Sequence, residues 1–105
     1  MIDDRKILQL TELLREAAMP KKIILFGSQA RRDAGAHSDF DILIVEPRVK
    51  NRVAEMVRLS RVVSPLRVPV DLLVVSEEAY EYWSTTPGNV YYQARTQGKT
   101  LYEAA

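Results

Sequence analysis

The chain has 105 residues, of which 47% are hydrophobic and 28% charged, with a formal net charge of +1. This size and composition are typical of one globular domain, so we expect residues 1–105 to form a single domain. The near-neutral charge gives no strong case for direct binding to nucleic acid. The absence of cysteine excludes disulfides and zinc–thiolate sites, and it favours a cytoplasmic location. The apolar runs are too short to cross a membrane.

The first half of the chain is predicted to alternate helices and strands. Apolar residues at helical spacing indicate a helix over 3–18, and Pro20 ends it. The short β-branched run 22–26 indicates a buried strand. One or two helical turns over 29–33 then precede a second strand at 39–45.

A longer helix is predicted over 51–63, after Pro47 has ended the second strand. Its apolar face is expected to comprise Val53, Met56, Val57, Ser60 and Val63. Its polar face is expected to carry Arg52, Glu55, Arg58 and Arg61. With Arg48 and Lys50 these cations are interpreted as a solvated basic face, interrupted by Glu46 and Glu55.

The last third begins with a predicted strand over 70–75. Ser76 is a suitable N-cap for a helix that runs to about residue 85. A final helix over 89–97 and a short edge strand over 100–102 follow. This order predicts an α/β sandwich, with a small sheet of three to four strands flanked by helices.

Carboxylates inside strand-like apolar segments are the main functional signal. Asp39 and Asp41 are two residues apart, so in a strand they point to the same side and repel each other unless a cation lies between them. Asp71, on a neighbouring strand, could complete a magnesium site. Read singly, the Asp-x-Asp pair could merely cap a strand start near solvent, and Asp71 could pair with an arginine.

The turn at Gly27-Ser28 could hold an anion. Glycine permits close approach of a ligand to the backbone, and Ser28 would stand at the entrance of a short helix, where free N–H groups favour phosphate. Arg31 and Arg32 add positive charge nearby. An ordinary strand-to-helix turn with a serine cap is the alternative.

Taken together, Gly27-Ser28, ten intervening residues and Asp39-Phe40-Asp41 resemble the signature of the nucleotidyltransferase superfamily that includes DNA polymerase beta. The wider sequence is similar to the minimal nucleotidyltransferase (MNT) branch over nearly the whole chain. The resemblance implies a polymerase beta palm-like fold with a small mixed sheet. It also implies a magnesium-dependent enzyme with two Mg²⁺ ions that moves AMP from ATP onto a hydroxyl group.

The resemblance also assigns roles to individual residues. It implies that Asp39 and Asp41 hold both metals, and that Asp71 binds the metal nearer the nucleophile and helps to take its proton. Gly27 and Ser28 would contact the β- and γ-phosphates, and Arg31 matches an arginine of the family. Two further positions depart from the common pattern: Gln29 stands where many members have arginine, and Arg32 where many have glycine.

Many members of the MNT branch are antitoxins paired with helical HEPN-type ribonuclease toxins, and some add AMP to a tyrosine of the toxin. The resemblance therefore implies a HEPN-type toxin as partner and acceptor, in a homo- or hetero-oligomer. The main alternative is a non-catalytic antitoxin or nucleotide-binding module that neutralises its partner by contact. Enzymes acting on a small molecule or on RNA are further alternatives.

Aromatic side chains are concentrated late in the chain: Tyr80, Tyr82, Trp83, Tyr91, Tyr92 and Tyr102. Tyrosine and tryptophan are favoured at protein interfaces, so this cluster could contact a partner. It could equally pack against the sheet.

Overall fold

A computed structural model describes residues 4–27 and 40–105. Within these ranges the helices are α1 (Asp4–Ala18), α2 (Arg52–Val63), a 3₁₀ turn (Ser64–Leu66), α3 (Glu77–Trp83) and α4 (Val90–Gln97). The strands are β1 (Lys22–Phe26), β2 (Phe40–Glu46), β3 (Val70–Ser76) and β4 (Lys99–Glu103). The helix predicted over 29–33 lies outside the described residues.

The four strands form one mixed sheet in the order β3-β2-β1-β4. Strand β1 pairs antiparallel with both β2 and β4, whereas β2 and β3 are parallel. Strand β4 is an edge strand, as predicted, although it is longer than 100–102. The predicted α/β class, with a small mixed sheet flanked by helices, is confirmed.

The sheet separates two apolar layers because alternate residues of each strand face opposite sides. Ile42 and Ile44 of β2 pack in the layer that contains α1 and α2, together with Leu59. Leu43 and Val45 face the other layer, where α3 and α4 pack. Among the described residues, no helix has the length and apolarity needed to span a membrane.

The predicted apolar face of α2 is partly wrong. Val53 is 67% exposed and Val57 is 46% exposed, whereas Leu59, which the prediction omitted, is fully buried. Met56 and Val63 do pack against the core, as predicted. The helix carries apolar residues around more than one face, so its sequence leaves the rotation open, and packing against the sheet and α1 fixes it.

Asparagine and serine side chains define where three helices begin. Asn51 accepts a hydrogen bond from the Ala54 N–H at the start of α2, and Ser76 accepts one from Ala79 at the start of α3. Asn89 accepts from two backbone N–H groups at the start of α4 and also donates to the carbonyls of Trp83 and Thr86. This second role of Asn89 fixes the chain just beyond α3, which ends at Trp83 rather than near residue 85.

Candidate active site

Asp41 and Asp71 lie side by side on neighbouring strands. They are direct partners in the parallel register of β2 and β3, which begins at the pair Phe40–Val70. A hydrogen bond of 2.9 Å from the Phe40 N–H to the Pro69 carbonyl fixes the start of this pairing. Paired residues of parallel strands point to the same face, and neighbouring strands are about 4.8 Å apart. The two carboxylates therefore share one side of the sheet, at the same end of both strands.

Their surroundings differ in exposure. Asp41 is partly buried, because β2 lies between β3 and β1, whereas Asp71 is exposed on the edge strand β3. Both lie on the face that carries Leu43 and Leu73, the layer of α3 and α4. Asp71 is thus accessible to a ligand from solvent, whereas Asp41 is partly enclosed because its strand is flanked on both sides.

Gly27 lies directly against the carboxylate of Asp41. It follows the last residue of β1, Phe26, which pairs with Asp41 across the antiparallel strands. Its backbone has φ +77°, and a Cβ atom at this position would collide with Oδ2 of Asp41. Glycine is therefore required here for two reasons, the left-handed backbone and the space that the carboxylate occupies.

The remaining predicted site residues cannot be placed in the same way. Asp39, Ser28 and Arg31 lie outside the described residues, as do the departures Gln29 and Arg32. Their roles remain predictions. Within residues 4–27 and 40–105 there is no group of three or more potential metal-ligating side chains, so the described part of the site is the Asp41–Asp71 pair.

This pair is suited to magnesium. Carboxylate oxygens are the ligands that Mg²⁺ prefers, and it is commonly bound by one or two carboxylates together with water and substrate phosphates. Two like charges held on one face also gain from a cation between them. The donor set therefore fits the ion that the sequence resemblance implies.

A second acidic pair, which the sequence analysis did not predict, lies on the opposite face of the sheet. Glu46 ends β2 and is only 7% exposed, so its interpretation as part of a surface basic face is wrong. Burial, reinforced by a hydrogen bond with Glu55, raises the pKa of Glu46 from 4.5 to about 8. Its Oε2 atom has no hydrogen-bond partner among the residues that the structure describes. The sequence did contain a signal for this burial. Glu46 is an even number of residues from Ile42 and Ile44, so in a strand its side chain points to the same side of the sheet as theirs.

Glu55 is also not on the exposed polar face, because only 18% of its side chain is accessible. Arg58 donates two hydrogen bonds to it, of 2.8 and 2.7 Å, and this pairing lowers the pKa of Glu55 to about 2. Arg58 also donates to the Ala17 carbonyl at the end of α1. The group therefore links α1, α2 and β2, and it stands apart from Asp41 and Asp71.

The aromatic residues divide between core and surface. Tyr80 is buried beneath the sheet, whereas Tyr82 is 68% exposed and Trp83 is 47% exposed. The other three are partly buried: Tyr91, Tyr92 and Tyr102. Packing against the sheet is thus confirmed for Tyr80, whereas contact of the exposed rings with a partner stays a prediction.

Comparisons with known proteins identify the family and the fold of this chain. Residues 7–96 match the nucleotidyltransferase domain family. Among curated protein sequences there is no significant match. The family match confirms the resemblance that the sequence indicated.

Three solved structures illustrate the similarity. The chain is 28% identical to a chain in a toxin–antitoxin structure with AMP-PNP, with a TM-score of 0.65. The match covers 98% of this chain and 75% of the other. It is 26% identical to a chain of a mutant toxin–antitoxin MntA-HpeT, with a TM-score of 0.62. That match covers 99% of this chain and 75% of the other. A third structure, tri-AMPylated Shewanella oneidensis HEPN toxin with MNT antitoxin, shares the fold at 24% identity and a TM-score of 0.62. That match covers 98% of this chain and 74% of the other.

Proposed function

Because this chain belongs to the nucleotidyltransferase domain family, we propose that it transfers AMP from ATP onto a hydroxyl group of a partner protein. The observation that carries the proposal is the pairing of Asp41 with Asp71 on one face, with Gly27 against Asp41. The acceptor is a tyrosine of a HEPN-type toxin. Similar chains come from toxin–antitoxin structures, one of them with AMP-PNP and one with a tri-AMPylated HEPN toxin.

The reaction is an in-line displacement at the α-phosphorus of ATP. The acceptor oxygen forms a bond to that phosphorus, the bond to the bridging oxygen of the β-phosphate breaks, and pyrophosphate leaves. Asp71 would receive the proton of the acceptor hydroxyl, and its exposure on the edge strand supports this role. Asp41 would present its carboxylate in a fixed orientation, and its partial burial beside Gly27 supports this role.

Asp41 and Asp71, with Asp39, would hold the Mg²⁺ ions. When bound, Mg²⁺ would neutralise negative charge on the phosphate oxygens as the displacement proceeds. The contribution of the chain is mainly to orient the two reactants and to place these charges in advance. Gly27, Ser28 and Arg31 complete the proposal as contacts to the triphosphate. We also propose a cytoplasmic location, since the chain has no cysteine.

The test is the intact mass of a candidate HEPN-type partner protein, measured after incubation with the chain, ATP and Mg²⁺. We expect a gain of one or more AMP units, and no gain with Asp41→Asn. Glu81→Gln, which removes an exposed carboxylate on α3, is the matched control and should leave the gain intact. An unmodified partner protein in the wild-type reaction would contradict the proposal.

Neutralisation by contact alone predicts a different outcome in cells. If Asp41→Asn is folded and still protects cells from the toxin as well as the wild type does, transfer is not the basis of protection. Our proposal predicts that protection falls together with AMP transfer.

A further inference from the structure

A second concave site lies on the same face of the sheet as Asp41 and Asp71, but at the other end of β3. It is a cavity of about 310 Å³ between the start of α2, the end of β3 and helices α3 and α4. Two cations, two aromatic rings and small apolar side chains line it: Lys50, Arg52, Val75, Ala79, Trp83 and Tyr91. We call this site the Trp83 pocket.

The lining of the Trp83 pocket combines positive charge with accessible aromatic surface. Arg52 donates a hydrogen bond of 3.0 Å to the Tyr91 hydroxyl, which holds the guanidinium at the pocket. Among the described residues neither Lys50 nor Arg52 forms an ion pair, and no carboxylate lines the pocket. Its two cations are therefore available to an anionic ligand.

Trp83 gives the pocket a large apolar contact. Its side chain is 47% exposed, and its ring meets that of Tyr82 edge to face, with centroids 4.9 Å apart. Half-exposed tryptophans beside arginines are typical of the residues that carry most of the energy of a protein interface. The pocket thus suits a ligand that presents an apolar or aromatic group together with negative charge.

The position of the pocket indicates the size of that ligand. Asp71 and Val75 lie on the same face of β3, four residues and about 13 Å apart at the rise of a strand. The reacting phosphate belongs beside Asp71, so a group in the pocket lies well away from the chemistry. A protein surface that buries about 800 Å² on each partner readily reaches both points.

We propose that the Trp83 pocket docks an acidic segment of the protein acceptor, with an apolar or aromatic side chain on Trp83 and carboxylates beside Lys50 and Arg52. This inference rests on the proposed function, because it names how the acceptor is held. A protein is favoured over RNA because the net charge is +1 and the pocket has only two cations. Docking here would hold the acceptor while its hydroxyl reaches Asp71.

The test compares the steady-state kinetics of AMP transfer to the HEPN-type partner protein that the wild type modifies. We expect Trp83→Ala and Arg52→Glu each to raise KM for that protein by about tenfold or more. At saturating acceptor, kcat and the KM for ATP should stay at wild-type values. Leu8→Ala is the matched control, since Leu8 is an exposed apolar residue of α1 that does not line the pocket, and it should change KM by less than about twofold.

Three results would overturn the inference. A higher KM for ATP with an unchanged KM for the protein would assign the pocket to the nucleotide. Loss of binding to a fluorescent single-stranded RNA, with protein binding unchanged, would assign it to RNA. Trp83→Phe, which keeps an aromatic ring, should restore most of the affinity, whereas equal effects of Phe and Ala would also count against docking.

Calorimetric binding without ATP separates this inference from the proposed function. If the wild type binds the HEPN-type protein, Trp83→Ala weakens binding and no transfer occurs, docking stands and the enzymatic proposal fails. If transfer occurs and the Trp83 and Arg52 variants bind like the wild type, the enzymatic proposal stands and docking fails. Circular dichroism of each variant checks that it is folded.

Discussion

Asp41 faces Asp71 across two parallel strands because the hydrophobic register of the sheet places them there. The next pair along the strands, Ile42 and Leu72, is buried in the layer of α1 and α2. A slip of β3 by one residue would move Leu72 to the wrong face and separate the two carboxylates. The same packing that stabilises the core therefore sets the geometry of the candidate site.

Replacing Asp71 with asparagine should separate catalysis from stability. The side chain is exposed and shares a face with another carboxylate, so removing its charge should leave the unfolding midpoint unchanged or slightly higher. AMP transfer should fall by about 100-fold or more, since a group that acts on the reacting atoms is lost. Thermal unfolding and the initial rate of transfer check the two expectations. A variant with wild-type transfer would remove Asp71 from the mechanism.

Replacing Gly27 with alanine should harm both stability and activity. Alanine would have to adopt the left-handed backbone conformation of Gly27, and its Cβ atom would displace the carboxylate of Asp41. We expect a loss of about 1–3 kcal/mol in the free energy of unfolding, measured in urea, together with a marked loss of transfer.

Gly88→Ala is the matched control for this variant. Gly88 also has a positive φ, +99°, but no atom of the described part of the chain lies within 4 Å of the added Cβ. It should therefore show the backbone cost alone and keep its activity. Equal activities of the Gly27 and Gly88 variants would show that displacement of Asp41 is unimportant.

The buried acid Glu46 should make stability depend on pH. Its pKa is raised to about 8 in the folded protein, so it retains a proton that the unfolded chain, with a pKa near 4.5, has released. The free energy of unfolding should therefore decrease as pH rises from about 4.5 to about 8. Glu46→Gln mimics the protonated acid and should flatten this dependence in urea unfolding at several pH values. The same slope in variant and wild type would contradict the assignment.

The side chain of Asn89 should contribute more to stability than that of Asn51. Asn89 makes two hydrogen bonds as an N-cap and two more as a donor to Trp83 and Thr86, whereas Asn51 makes one, of 3.0 Å. We expect Asn89→Ala to cost about 2 kcal/mol and Asn51→Ala about 1 kcal/mol. Asn89→Asp keeps the acceptor and should be intermediate. Urea unfolding of the three variants decides the order, and a larger loss in Asn51→Ala would contradict it.

The features best predicted from the sequence are those that depend on residues close together in the chain, such as the bounds of strands. The β-branched runs predicted β1, β2 and β3 to within a residue or two, since proline and glycine bound them. The N-cap at Ser76 followed from capping preferences, whereas the side-chain caps at Asn51 and Asn89 emerged only from the structure.

Properties that depend on tertiary packing were less predictable. The rotation of α2 was partly wrong because Val53 and Val57 are as apolar as the buried Leu59, and only the neighbouring elements distinguish them. Glu46 was placed on the surface because charge usually indicates exposure. In the site, the sequence indicated Asp41 and Asp71 as partners, but their register and the contact with Gly27 emerge only from the fold.

The central claim, transfer of AMP, is tested most directly with ATP radiolabelled at the α-phosphate or, in a parallel reaction, at the γ-phosphate. The chain is incubated with Mg²⁺ and a candidate HEPN-type partner protein, and protein-bound label is measured after denaturing electrophoresis. We expect label on the HEPN-type protein from α-labelled ATP alone, and none when Asp41 is replaced with asparagine. Label from γ-labelled ATP, or no label from either, would contradict it.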